Sequence, residues 1–136
     1  MKKTFLLLII AIFSGFMLFA QSKKSNIEVL YFKANLCACK ARVCTVVGND
    51  IKTIIEKCYP DSSVRFREVM LSDEKNKEIV TKYNAQSQSL IVVNKKKKKE
   101  NFIDVSDIVK EYSQKQDKEA LEQELKSKIV ELKKIK

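Results

Sequence analysis

The sequence predicts an α/β domain in which a mixed four-stranded sheet is flanked by helices, in the order β-α-β-α-β-β-α-α. Short runs of β-branched and aromatic residues alternate with longer stretches whose apolar residues recur every three or four positions. The single proline and several polar clusters separate these segments. Two strand–helix–strand units followed by a hairpin and closing helices indicate a mixed sheet that is covered on both faces.

Four short runs have the composition of strands. In chain order they span 27–32, 64–71, 89–93 and 102–105. The lysines from Lys95 to Lys99 are expected to form a solvated hairpin loop between the last two strands. The large apolar residues on the first two strands are expected in the core: Tyr31, Phe32, Phe66 and Met70.

The first helix is predicted from Lys40 to about Tyr59. Its apolar residues recur along one face: Cys44, Val47, Ile51, Ile54 and Cys58. Gly48 is followed by two polar residues. This stretch is a predicted weak point, where the helix kinks or restarts. Pro60 cannot continue the helix and therefore ends it in a turn.

The remaining helices begin at recognisable polar residues. Ser72 is predicted to cap a helix that has acidic residues in its first turn, where they favour the helix dipole. Ser106 is predicted to cap a short helix after the fourth strand. The last helix begins at about Lys118 and is expected to close the domain with one apolar stripe: Leu121, Leu125, Ile129 and Leu132.

The N-terminal segment has the pattern of a secretory signal peptide. Lys2 and Lys3 precede a continuous apolar run from Phe5 to Phe13, and small residues lead up to Ala20. We therefore expect a signal peptide over 1–20, a single domain over 21–136, and a periplasmic or secreted protein. The apolar stretch is at the short limit for a membrane span, so a retained anchor is the alternative. After cleavage, no stable membrane span is expected.

The chain is basic, with 27 lysines and arginines against 17 acidic residues, a formal net charge of +10. The lysines are scattered over several elements, without a glycine-rich RNA motif or an aromatic run beside them. Nucleic-acid binding is therefore not expected. The chain has no histidine, which excludes a cysteine–histidine nucleophile pair and any histidine acid–base step.

Three of the four cysteines crowd into eight residues where the first strand gives way to the first helix: Cys37, Cys39 and Cys44. Export makes disulfides permissible. Unpaired backbone N–H groups and the helix dipole stabilise a thiolate at a helix N-terminus, and Lys40 adds positive charge there. Cys44 and Cys58 share the apolar stripe, so both are expected to behave as small buried hydrophobes.

Several segments together resemble the thioredoxin-like proteins of anaerobic bacteria. They are the strand end Tyr31-Phe32, the cysteine cluster ending in Cys39-Lys40-Ala41, the segment 82–84 and the segment 88–93 that enters the third strand. The resemblance covers roughly 26–134. It implies a thioredoxin-like fold whose reactive dithiol lies just after the first core strand.

This resemblance assigns the candidate site. It implies that Cys37 is the exposed attacking thiol, that Cys39 resolves the mixed disulfide, and that protein thiols or disulfides are the partners of a monomer that needs no cofactor. The spacing departs from the family pattern, because the family has Cys-x-x-Cys and this chain has Cys-x-Cys. The family's cis-proline before the third strand is absent, and Gln88 or Ser89 stands in its place.

Two alternatives to thiol–disulfide exchange remain open. A thioredoxin-like scaffold without the family's proline and tryptophan could serve only as a binding module. Cys37, Cys39 and Cys44 could instead form a soft trigonal site for Cu(I) or part of a zinc site, since thiolates are the ligands that such metals prefer.

Overall fold

The computed structural model describes residues 26–35, 38–96 and 99–135. The predicted signal peptide over 1–20 and Cys37 lie outside the described residues. Within the described part of the chain, no helix combines the length and the apolar character needed to cross a membrane.

In the part of the chain that the structure describes, four strands and four α-helices follow one another in the predicted order. They are β1 (Ile27–Lys33), α1 (Ala38–Cys58), β2 (Val64–Met70), α2 (Lys77–Lys82) after a short 3-10 turn (Glu74–Asn76), β3 (Leu90–Lys96), β4 (Lys99–Asp104), α3 (Ser106–Lys115) and α4 (Lys118–Lys134). The α/β class and the alternation of elements are therefore confirmed.

The strands form one mixed sheet in the order β2-β1-β3-β4. β1 pairs with β2 in parallel and with β3 in antiparallel orientation, and β3 and β4 form an antiparallel hairpin. Tyr31 of β1 lies opposite Glu68 of β2 and Leu90 of β3. β1 thus lies inside the sheet, and its C-terminal end leads into α1.

The two faces of the sheet are covered unequally. The larger core lies on one face, where α1, α3 and α4 pack against residues of β1 and β3 such as Val29 and Val92. On the opposite face, a smaller core surrounds Leu30 and Phe32 and is covered by residues of the short α2 and the loops that flank it. This difference follows from the lengths of the helices, because α2 has only six residues.

Helix α4 closes the larger core as its stripe predicts. Its four stripe residues are all buried: Leu121, Leu125, Ile129 and Leu132. Asp117 caps its N-terminus by accepting hydrogen bonds from the backbone N–H groups of Glu119 and Ala120. Buried Asn94 of β3 donates a side-chain hydrogen bond to the Leu132 carbonyl at 3.2 Å, which ties the end of the helix to the sheet.

The predicted restart of the helix at Gly48 is wrong, because α1 continues without interruption from Ala38 to Cys58. Gly48 is buried. A Cβ atom there would lie 3.2 Å from two carbon atoms of the Tyr31 ring and 2.7 Å from Glu68 Oε1. The glycine therefore permits close approach of helix and sheet, and the packing compensates for its poor helix propensity.

Two predicted caps are also wrong. The 3-10 turn before α2 is capped by Asp73, whose carboxylate accepts a hydrogen bond from the Lys75 N–H, while the Ser72 hydroxyl accepts one from Asn35. Ser106 is the first residue of α3 rather than its cap, and its hydroxyl accepts a hydrogen bond from the Leu90 N–H. In both places a neighbouring segment binds the serine and removes it from the capping role.

The lysine-rich segment contributes more strand than predicted. Lys95 and Lys96 continue β3, Lys99 begins β4, and Lys96 pairs with Lys99. Only 97–98 of the predicted loop fall outside the described residues. The Lys95 ammonium lies 2.8 Å from the Glu28 carboxylate on β1. Pairing between β3 and β4 thus continues into the lysine-rich segment, which its composition alone did not indicate.

Candidate functional site

The candidate site lies where the chain passes from β1 into α1. Cys39 and Lys40 lie in the first turn of α1, and this turn contains no acidic residue. Cys37 immediately precedes Ala38, the first residue of the helix. Because this turn contains no carboxylate to oppose the partial positive charge of the helix N-terminus, the position favours a thiolate.

Cys44 faces the core, as its place on the apolar stripe predicts. Only 1% of its surface is exposed. The side-chain amide of Gln88 donates a hydrogen bond to its sulfur at 3.3 Å. The thiol is therefore held beneath the helix, out of contact with solvent. Among the residues described, no cluster of three potential metal ligands is present. Of the predicted set of Cys37, Cys39 and Cys44, the Cys37 residue and the Cys39 side chain lie outside the described part of the chain.

Gln88 and Ser89 join the candidate site to the end of β1. The Phe32 carbonyl accepts a hydrogen bond from the Gln88 N–H at 2.8 Å, and the Phe32 N–H donates one to the Ser89 carbonyl at 2.9 Å. Every peptide bond in the described residues is trans, and Gln88 adopts a left-handed conformation with φ of 69°. The backbone pairing thus holds the start of β3 beside the entrance to α1 without a proline.

A buried polar group beneath α1 was not found from the sequence. The Tyr31 side chain is completely buried, and within the described residues its hydroxyl has no hydrogen-bond partner of good geometry. Burial, followed by the proximity of Cys44 and then Glu68, raises the pKa of Tyr31 far above its usual value. The Tyr31 ring and the Glu68 carboxylate therefore lie against Gly48, and the sequence offered only one signal for this contact, a glycine within a helix.

Glu68, which lies beside the buried Tyr31, also forms an ion pair with a lysine on the neighbouring strand. The Lys33 ammonium lies 3.3 Å from the Glu68 carboxylate. Lys33 is the last residue of β1, and Glu68 lies on β2. The ion pair therefore joins the two strands near the end of β1 that leads into α1.

Cys58 lies at the opposite end of α1 and has a different environment. Its thiol donates a hydrogen bond to Glu122 of α4 at 3.5 Å, and Lys57 forms an ion pair with the same carboxylate at 2.9 Å. Partial burial and the Glu122 charge raise the pKa of the Cys58 thiol. A thiol that stays protonated is a poor nucleophile, which favours the predicted structural role of Cys58. The residue is only partly buried, however, and not fully buried as expected.

Comparisons with known proteins leave the family open. No protein-family model matches the chain. No curated protein matches it either. A solved structure described as "Structure of a malarial protein" is similar to 63% of this chain and 92% of its own, with 23% sequence identity and a TM-score of 0.39.

Proposed function

We propose that this protein is an exported, thioredoxin-like thiol–disulfide exchange protein whose reactive pair is Cys37 and Cys39. One observation carries the proposal: the central strand β1 leads into a 21-residue helix whose first turn contains Cys39 and no acidic residue. A helix N-terminus of this kind is where a cysteine thiolate gains most from the helix dipole.

The arrangement of the elements supports a thioredoxin-like core. A parallel strand–helix–strand unit lies beside an antiparallel hairpin in the sheet order β2-β1-β3-β4. Helix α1 lies on one face together with the last two helices, and the second helix lies on the other. The fold implied by the sequence resemblance places its dithiol at the start of the helix that follows the first core strand.

The proposed reaction proceeds in two exchanges. The Cys37 thiolate attacks one sulfur of a protein disulfide, forms a mixed disulfide, and releases the first substrate thiolate. The Cys39 thiolate then attacks the Cys37 sulfur, closes the Cys37–Cys39 disulfide, and releases the second substrate thiolate. The substrate gains two electrons and this protein loses two. The reverse sequence oxidises a substrate dithiol.

The one-residue spacing determines which direction is favoured. A disulfide between Cys37 and Cys39 closes a very small ring, and strained disulfides are more readily reduced than relaxed ones. The oxidised pair is therefore expected to act as an oxidant or to isomerise disulfides. The pattern of residues 1–20 favours the periplasm or the exterior of the cell as its location, and both settings permit this chemistry.

The direct test is a redox titration in which free thiols are trapped with a maleimide and each site is assigned by peptide mass spectrometry. Cys37 and Cys39 are expected to change state together at a potential between about −120 and −300 mV, the range of known exchange proteins. The variants Cys37→Ser and Cys39→Ser should each abolish this transition, and the control Cys58→Ser should leave it unchanged. If neither thiol changes state over that range, the proposal is wrong.

A second candidate function is that of a binding module without turnover. It is favoured by the trans backbone at Gln88, because this segment lacks the proline that the resemblance implies. Insulin reduction by the purified protein with dithiothreitol as reductant separates the two candidates. Turnover that Cys37→Ser removes would exclude the binding module. A titrating pair without turnover would support it.

A further inference from the structure

Within the described residues, the outer edge of β2 is open. Among the described strands, β2 lies at one end of the sheet and pairs only with β1. The backbone N–H and C=O groups that point away from β1 along Val64–Met70 therefore have no neighbouring strand within the described residues. Such an edge is a template for an added strand.

A groove borders this edge on the α1 side of the sheet. It has a volume of about 550 Å³ and lies between the C-terminal half of α1, the turn after it, and the start of β2. Five apolar residues line it, together with five polar or charged ones: Ile55, Tyr59, Pro60, Val64 and Phe66, and Lys52, Glu56, Asp61, Ser62 and Arg65. Phe66 is only partly buried and packs against the larger core. The groove can accept an apolar side chain of an adjacent strand.

A second groove, of about 250 Å³, borders the sheet on the α2 side. Four basic residues and two acidic ones line it: Arg67, Lys75, Lys82, Lys95, Glu78 and Glu100. Glu100 forms an ion pair with Lys82 at 2.6 Å. Lys95 is paired with Glu28. Within the described residues, Arg67 and Lys75 form no ion pair, so positive charge is in excess here.

The alternation along β2 distinguishes the two sides of its edge. Arg65 and Arg67 are exposed, and Phe66 lies between them on the α1 side. The Arg67 guanidinium donates a hydrogen bond to the neutral side chain of Asn76 at 3.3 Å, which leaves its charge uncompensated. Arg65 also borders the first groove, whose charged residues balance in sign: Lys52, Arg65, Glu56 and Asp61. A partner strand would therefore meet a partly apolar groove without excess charge on one face and the arginines on the other.

We propose that the edge of β2 binds an extended segment of another protein in which apolar and acidic residues alternate. Added to β2, such a segment directs every second side chain into the partly apolar groove and the intervening carboxylates toward Arg65 and Arg67. A second copy of this chain fits poorly, because an antiparallel pair of β2 strands brings these arginines close to one another. This inference concerns a surface separate from the cysteines.

Binding is tested by fluorescence anisotropy with a labelled peptide of seven residues in which valine and glutamate alternate, the same length as β2. The matched peptide has lysine in place of glutamate. Saturable binding of the acidic peptide and weaker binding of the basic one are expected. The double variant Arg65→Glu/Arg67→Glu should weaken binding of the acidic peptide at least about tenfold, because two attractions become repulsions. Lys110→Glu, a charge reversal on the exposed face of α3, should have no effect.

Hydrogen exchange on the unaltered protein locates the peptide independently of any variant. Backbone amides of β2 should exchange more slowly when the acidic peptide is bound, while those of α3 should not change. Equal binding of both peptides, protection elsewhere than β2, or binding unaffected by the double variant would overturn the proposal. Sedimentation that shows a dimer with a protected β2 would also overturn it, because the edge would then belong to a second copy.

Discussion

The Gln88 side-chain amide donates a hydrogen bond to the sulfur of Cys44, although the two residues are 44 positions apart in the chain. The contact joins the segment entering β3 to the buried face of α1. Cys44 is thereby held as part of the packing beneath the candidate site. A separate set of backbone hydrogen bonds joins Gln88 and Ser89 to Phe32.

Two substitutions of Gln88 should distinguish the effect of its hydrogen bond on stability from the effect of its strained backbone. Both Gln88→Ala and Gln88→Gly lose the contact with Cys44, but only glycine adopts φ of 69° without a steric penalty. A left-handed conformation costs a residue with a Cβ about 1–2 kcal/mol. Gln88→Gly is therefore expected to be more stable than Gln88→Ala by about 1 kcal/mol, as measured by urea unfolding. Equal stability of the two variants would contradict the left-handed conformation.

Gly48→Ala should destabilise the protein although it removes a glycine from the middle of a helix. Alanine improves helix propensity by about 1 kcal/mol. The new Cβ, however, would lie 3.2 Å from two carbons of the fully buried Tyr31 ring, and overpacking of this kind costs about 1–3 kcal/mol. We expect a net loss of about 1 kcal/mol in the free energy of unfolding. The neighbouring exposed change Asn49→Ala is the control and should be neutral or stabilising.

Asp50 should contribute a pH-dependent part of the stability. Burial alone would raise its pKa, but hydrogen bonds from Lys118 at 2.6 Å and Tyr112 at 2.7 Å outweigh that effect and lower the pKa below its usual value. A lowered pKa in the folded state means that the stabilisation is present above the unfolded-state pKa of about 3.9 and is lost as the pH falls through the folded-state value.

The variant Asp50→Asn tests this dependence. At pH 7 it should be less stable by about 1 kcal/mol, because two hydrogen bonds to a charged acceptor are weakened. The difference from the unaltered protein should shrink as the pH falls below about 4. Thermal unfolding measured at several pH values gives both quantities. The exposed change Glu124→Gln is the control. A difference that stays constant over the whole acid range would show that the charge of Asp50 is not responsible.

Cys58 should react slowly with iodoacetamide at neutral pH, because burial and Glu122 raise its pKa and keep the thiol protonated. The variant Glu122→Gln removes the negative charge and leaves Lys57 and Lys126 nearby, so the reaction should become severalfold faster. Peptide mass spectrometry reports the rate at Cys58 separately from the other cysteines. Glu124→Gln, on the same helix, should leave the rate unchanged. An equal acceleration by both variants would point to loosening of α4 instead.

The positions of most helices and strands could be predicted from the local pattern. The stripe from Leu121 to Leu132 repeats with the period of a helix, and all of its members are buried, because such a stripe has to be removed from water. The capping residues were harder to predict. Ser72 has the right chemistry for a cap, but its hydroxyl binds Asn35, which is distant in sequence.

The sequence by itself determined the α/β class, the order of the elements, and the place of the cysteine cluster between the first strand and the first helix, since each depends on neighbouring residues. Only the tertiary structure decided that Gly48 lies against Tyr31 and Glu68, that Gln88 binds Cys44, and that β2 has an open edge between two grooves. The first two features depend on contacts between residues 17 to 44 positions apart. Periodicity along the chain carries no information about such pairs, because strand register and helix docking set them.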